Sequence, residues 1–191
     1  MNRSRQIMTT LAFFLPVVVI GLFVNHASHT LFAAYHAVKA STFAHSGHLD
    51  KAVAEGRLAV QADPQFEPGH NDLGFHLFKQ GKFAEAEVEC RKAVSLAPND
   101  AYAHDSLGQL LSHTGHANEA VQQCREAVQI LPSPVHINSL AYALSKQGHW
   151  DGARQNWQQV TRMNNQSAAA EAQAMLLKVF GEDTSFEAQG R

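Results

Sequence analysis

Residues 71–98, NDLGFHLFKQGKFAEAEVECRKAVSLAP, and residues 104–132, HDSLGQLLSHTGHANEAVQQCREAVQILP, are two copies of one pattern. Each carries a leucine–glycine pair (Leu73 and Gly74; Leu107 and Gly108), an apolar residue one turn later (Leu77, Leu111) and a second glycine (Gly81, Gly115). Two alanines follow (Ala86 and Ala93; Ala120 and Ala127), and a proline closes each copy (Pro98, Pro132). Corresponding positions lie 34 residues apart, and Gly47 and Pro64 carry the period one unit toward the N-terminus. A period of this length predicts a helical solenoid whose unit is helix, tight turn, helix and a proline-marked link. Small residues at fixed positions let the two helices of a unit approach closely, and the glycine after the first helix supplies the positive φ of its stop.

The two segments resemble the tetratricopeptide repeat, which uses the same leucine–glycine pair, turn glycine, core alanines and closing proline. The resemblance implies an all-α, right-handed superhelix of about four helix-turn-helix repeats, at about 33–66, 67–100, 101–134 and 135–167, within a solenoid of residues 25–166. The first and fourth units depart from the pattern. Lys39 stands where leucine is expected and Gly56 where a large apolar residue is, and Asn165 replaces the closing proline. End units have one neighbour instead of two, so their degradation is expected. Ala168, Ala172, Met175, Leu176 and Val179 then form one apolar stripe, predicting a capping helix over 167–180. Residues 181–191 lack periodicity and read as a flexible tail.

At the other end, Ile7 to Val24 is an uncharged run following Arg3 and Arg5. As a helix it would span about 27 Å, close to a bilayer's hydrocarbon core. A signal peptide also begins with charge, but its apolar region is shorter and ends at a small-x-small site, for which Asn25 and Ala27 are poorly suited. Residues 7–24 therefore read as an uncleaved transmembrane signal anchor, giving the fold class one N-terminal transmembrane helix. Residues 1–6 would be cytoplasmic and the repeats extracytoplasmic, periplasmic in a bacterium, because lysine and arginine are absent just after the span. An organelle anchor leaving the repeats in the cytosol is the alternative.

The net charge of −2 gives no basic field for nucleic acid. Fingerprints for dinucleotide, nucleotide, zinc-protease or nucleophile-elbow sites are absent, so no enzyme activity, no catalytic residue, no metal and no cofactor are expected. Cys90 and Cys124 occupy equivalent positions of successive second helices. They would stand on the order of 10 Å apart, too far for a disulfide, and read as reduced packing residues. The 12 histidines motivate a metal-binding alternative. Yet His36, His70 and His104 recur at the repeat period, which separates them too widely for one ion and suits gap-filling in the first helices. A second set flanks the turn glycines: His45 and His48, Lys79 and Lys82, His113 and His116, Lys146 and His149. These read as cations placed against helix C-terminal dipoles, or as a strip for an anionic partner. Arg57, Arg91 and Arg125 form another row, with Glu89 and Glu126 available for surface pairing.

Family resemblance implies peptide capture in a concave groove lined by first helices. The positions carried over are Asn71, Phe75, Phe78 and Lys79 in the second unit, and Tyr102, Asp105, Gln109 and His113 in the third. Asn138, Tyr142 and Lys146 come from the fourth. Amide side chains can pair with an extended backbone, and aromatics supply anchoring area. The expected partners are a protein segment or membrane-complex subunit in the groove, and lipid at the N-terminal helix. The resulting expectation is a membrane-anchored adaptor that assists assembly of an envelope or membrane complex. The competing expectation is a constitutive accessory subunit of a respiratory, photosynthetic, secretion or pilus complex.

Overall fold

A computed structural model of the chain describes residues 27–181. The expected anchor, 7–24, and all but the first residue of the expected tail, 181–191, lie outside the described residues. Those residues are helical throughout, with no strand: α1 (27–45), α2 (Leu49–Ala62), α3 (Glu67–Lys79), α4 (Phe83–Leu96), α5 (Ala101–Thr114), α6 (Ala117–Ile130), α7 (Pro134–Gln147), α8 (Trp150–Thr161) and α9 (Gln166–Phe180). Among them no helix is long and apolar enough to cross a membrane. The described residues form two compact units that divide between Gly69 and His70.

In the first unit α1 and α2 are joined by polar clamps. Nδ1–H of buried His36 donates to Glu55 over 2.6 Å, Lys39 Nζ meets the same carboxylate at 2.7 Å, and Thr30 Oγ1 donates to Asp63 over 2.6 Å. Lys39, out of place as a core residue, is thus an ion-pair partner, and with His36 it holds the Glu55 carboxyl below its usual range. The second unit repeats the histidine clamp, with His70 Nδ1 to Glu89 at 2.6 Å and His104 Nδ1 to the Gln123 amide at 2.7 Å. Each partner lies 19 residues after its histidine. The periodic histidines therefore fill gaps, as their spacing suggested, and also tie each first helix to its own second helix.

Close approach of the paired helices depends on missing methyl groups. A Cβ on Gly74 would stand 2.6 Å from Cys90 Sγ, and one on Gly108 would stand 2.5 Å from Cys124 Sγ, each with a backbone nitrogen at 3.2 Å. Both cysteines are free and buried. Burial, with Glu89 and Glu87 nearby, pushes the Cys90 thiol up to about 12; burial, with Asp105, also raises Cys124. Ala86, Ala93, Ala120 and Ala127 are fully buried around these contacts, beside Leu73, Leu77, Leu107 and Leu111.

Every turn is built alike. The residue after the glycine donates its backbone N–H to the carbonyl five residues back: His48 to Phe43, Lys82 to Leu77, His116 to Leu111 and His149 to Leu144, at 2.9–3.0 Å. Gly115 and Gly148 take φ of 86° and 87°, the left-handed conformation in which a side chain is strained. The side chains of His48, Lys82, His116 and His149 then stand at the N-caps of second helices and make no capping bond. This corrects the dipole reading for half of the turn cations. Those before the glycine face a helix C-terminus, but those after it stand at a positive N-terminus, where acids in the first turn (Asp50, Glu85, Glu119, Asp151) offset them.

The fourth repeat is capped by α9, which packs on α7 and α8. Ala168, Ala172 and Leu176 are buried, whereas Val179 of the expected stripe is exposed. Phe180 closes the end against Trp150 and Trp157, with the Arg154 guanidinium 4.2 Å from its ring centre. Between second helices, Arg91 reaches from Glu87 on its own helix to Glu119 on α6, at 2.9 and 2.6 Å. Glu89, expected at the surface with the arginines, instead serves His70.

Gly108→Ala is expected to destabilise the protein by about 1–3 kcal/mol through overpacking, seen as a lower urea midpoint by circular dichroism. Adding Cys124→Ala should restore part of the loss, since the sulfur leaves but the backbone nitrogen remains. A second expectation concerns Asp72, whose carboxyl burial pushes up to about 6. The native state then keeps a proton that the unfolded chain releases near 3.8, so this group's contribution to stability falls as pH rises from about 4 to 6 and levels off above. Asp72→Asn should accordingly stabilise the protein by on the order of 1–3 kcal/mol at pH 7.5 and by much less at pH 4. Equal gains at the two pH values would contradict the assignment.

Candidate peptide-binding groove

The first helices of the second unit carry residues in an i, i+4, i+8 pattern: Asn71, Phe75 and Lys79 on α3; Asp105, Gln109 and His113 on α5; Asn138, Tyr142 and Lys146 on α7. Residues so spaced share one face of a helix. Because α5 and α7 pack directly on one another, equivalent residues line up across the helices as rows. The first row consists of oxygen-bearing side chains, the second is mainly aromatic, and the third carries lysine or histidine.

A hollow of about 410 Å³ opens on this face. Phe78, Lys79, Gln109, His113, Asn138 and Tyr142, all anticipated from sequence, line it together. Val135, Ser139, Trp157, Glu171 and Met175 complete the lining and were not anticipated. Glu171 and Met175 belong to the capping helix, which a repeat alignment does not place beside the groove. Trp157 is the fourth-repeat equivalent of Cys124, and its size carries a buried second-helix residue through to the hollow.

The other anticipated residues fall elsewhere. Phe75 is partly exposed and lies under Lys79, whose Nζ is 4.9 Å from its ring centre; Phe78 is 5.8 Å from the same Nζ. Lys146 stands 5.2 Å over Tyr142, repeating the arrangement one helical turn apart in the fourth unit. Tyr102 is 59% exposed outside the hollow, its ring edge-on to buried His136 at 5.2 Å. Asp105 is buried behind the lining and accepts from Gln109 Nε2 over 2.7 Å; the same nitrogen reaches Ser139 Oγ at 3.3 Å. Burial raises the Asp105 carboxyl above its ordinary range, while Ser139, His136 and Gln109 pull it down. Asn138 also has a structural duty: its Nδ2 donates to Ala168 O over 3.0 Å and approaches Glu171 at 3.4 Å, pinning α9.

In the first row, Asn71 Oδ1, Asp105 Oδ1 and Asn138 Oδ1 are all buried with no hydrogen-bond partner. A buried acceptor left unpaired costs roughly 1–3 kcal/mol, and the cost recurs at one position of three successive first helices. The third row has the opposite character. His113 packs its ring against Phe78 at 5.2 Å, and neither Lys79 nor Lys146 has a carboxylate in ion-pair reach among the described residues. Chemically, the groove can accept N–H donors along one edge, hold apolar side chains between, and meet negative charge along the other edge. Among the described residues no group of three or more histidine, cysteine or acidic side chains is arranged to hold a metal ion.

Residues 68–100 match the sequence model of the tetratricopeptide repeat. No curated protein matches the chain. Among solved structures, TTC0263, a thermophilic tetratricopeptide-repeat protein of Thermus thermophilus, superposes with a TM-score of 0.68 at 19% identity, covering 85% of this chain and 96% of that one. MamA superposes with a TM-score of 0.59 at 18% identity, covering 76% of this chain and 81% of that one. Residues 68–100 are thus similar to the tetratricopeptide repeat, and the all-α fold around them is shared with TTC0263.

Proposed function

We propose that this protein is a membrane-anchored scaffold whose first-helix groove captures an extended segment of a partner protein, assisting assembly of an envelope or membrane complex. The observation that carries the groove reading is the hollow of about 410 Å³ in which Phe78, Gln109, Asn138 and Tyr142, from three successive first helices, come together. An extended backbone presents N–H and C=O groups that amide side chains such as those of Gln109 and Asn138 can pair. Support for the anchor is the uncharged run from Ile7 to Val24 behind Arg3 and Arg5. The proposed orientation, with the repeats extracytoplasmic, follows from the same charges.

A second reading, a permanent accessory subunit, draws on a different surface. Helix α1 leaves Leu31, Phe32, Tyr35 and Val38 more than half exposed, three of them at i, i+4 and i+7. An apolar face of this kind suits a fixed interface.

The two readings part experimentally. The full chain is purified in mild detergent, and co-purifying proteins are compared among wild type, an Asn71→Ala, Tyr142→Ala variant and a Leu31→Asp, Val38→Asp variant. A scaffold loses its partner with the groove variant alone, whereas an accessory subunit loses it with the α1 variant alone. Circular dichroism checks that both variants stay helical. For the anchor, the protein is expected to resist alkaline extraction and to keep its N-terminus; a mature start near Ser28 overturns it. A topology reporter fused after Arg191 should be active outside the cytoplasm.

A further inference from the structure

We propose that the groove reads an acidic segment in polyproline II conformation, with carboxylates at every third residue aligned on Lys79, His113 and Lys146. The inference rests on the groove reading above and specifies the chemistry of its ligand.

Spacing across the groove comes first. Each cation follows its row-one oxygen by eight residues: 71 to 79, 105 to 113 and 138 to 146. At the helical rise this separates the oxygen row from the cationic row by about 12 Å, with the aromatic row midway. One extended chain lying on the aromatic row has its two flanks within side-chain reach of both edges.

Spacing along the groove decides the conformation. Phe78 on α3 touches His113 on α5, with ring centres 5.2 Å apart, and Gln109 on α5 touches Ser139 on α7 at 3.3 Å. First helices in direct contact stand about 8–10 Å apart, so a crossing ligand meets Lys79, His113 and Lys146 in turn, one per step of that length. Polyproline II completes a turn of three residues in about 9.3 Å, which matches the step. A β-strand returns to the same face every 6.6–6.8 Å or so and falls out of register within one repeat. An α-helix could match with two turns, about 10.8 Å, but its backbone N–H groups are already bonded internally. Polyproline II leaves its backbone groups unbonded and able to pair with the amide side chains of Gln109 and Asn138 in the lining of the hollow.

Charge sets the orientation. Lys79 and Lys146 lie over Phe75 and Tyr142 and are not neutralised by carboxylates of the described chain. Glu119, the acid on the first turn of α6, is occupied by Arg91. The opposite edge carries Glu171, which repels an acid placed there. A segment with carboxylates on one flank therefore has one favoured orientation in the groove.

The test uses the full chain in neutral detergent and three fluorescent peptides of equal length. One carries three glutamates three residues apart, one carries the same residues with the glutamates two apart, and one replaces the glutamates of the first by lysine. Anisotropy should show the three-spaced acidic peptide binding about tenfold tighter than the two-spaced one, and the lysine peptide weakest. Lys79→Glu, Lys146→Glu should reverse the preference between acidic and lysine peptides. Both residues are exposed, and unchanged thermal unfolding confirms an intact fold. Lys79→Gln, Lys146→Gln should abolish the preference without reversing it. Equal affinity for the two spacings, an unaltered preference in the charge-reversed variant, or no binding of any peptide overturns the proposal. Binding of anionic phosphatidylglycerol vesicles through the same lysines, without binding of peptide, also overturns it in favour of a lipid surface. The underlying groove reading fails separately: if Asn71→Ala, Tyr142→Ala leaves acidic-peptide affinity unchanged, the ligand lies elsewhere.

Discussion

Within each central repeat, the distance between the two helices is set by a glycine that leaves room for a thiol. Gly74 faces Cys90 and Gly108 faces Cys124, closely enough that any side chain on the first helix would collide with the second. This contact fixes how far each first helix sinks into its partner, and hence which of its faces remains outside. Leu73 and Leu77, like Leu107 and Leu111, sit on the sunken side and are buried. Positions 71, 75 and 79 and their counterparts stay on the other side. The groove is thus a consequence of core packing, because successive repeats with the same internal spacing present equivalent residues in straight rows.

The histidine clamps act at right angles to that contact. A glycine–cysteine pair fixes separation but resists sliding poorly, since a flat, small-residue contact has few interlocking groups. Nδ1 of His36, His70 and His104, each bonded to a side chain 19 residues on, fixes the register of one helix along the other. Burial strengthens such bonds by excluding competing water, so a slip of one turn would strand a buried imidazole and its acceptor together. Arg91 extends the linkage from one second helix to the next, though its exposure makes this the weaker contribution.

Much of this was legible in the sequence, for a specific reason. The alanines, glycines and leucines that define the repeat are constrained by backbone approach, so they recur and can be aligned. Helix positions followed, including the cap at Gln166–Phe180. Partners of the histidines also recur, as Glu55, Glu89 and Gln123, but a charged residue on a second helix reads as solvated until the fold shows it against an imidazole. The turn cations misled for a related reason: one short turn is the end of one helix and the start of the next, so a charge favoured by the first dipole is disfavoured by the second. In the groove, residues on the first helices could be read by register. Glu171, Met175 and Trp157 could not, because the cap and an oversized second-helix residue enter from outside the repeat pattern.

The polar groups of the groove divide by what the fold asks of them. Asn138 uses its amide nitrogen to hold α9 and leaves its oxygen unpaired, and Asp105 uses one oxygen for Gln109 and leaves the other. In both, one atom stabilises the native state while its neighbour destabilises it. A fold under selection for stability alone would remove the second atom, since an apolar residue of similar shape carries no unpaired acceptor. In the free protein these acceptors are already desolvated and held in place by the packing around them, a preorganisation whose cost the native state carries. The same preorganisation explains why the cations stand over aromatic rings: Phe75 and Tyr142 hold Lys79 and Lys146 near the groove face, which lowers the entropy lost when an anion meets them.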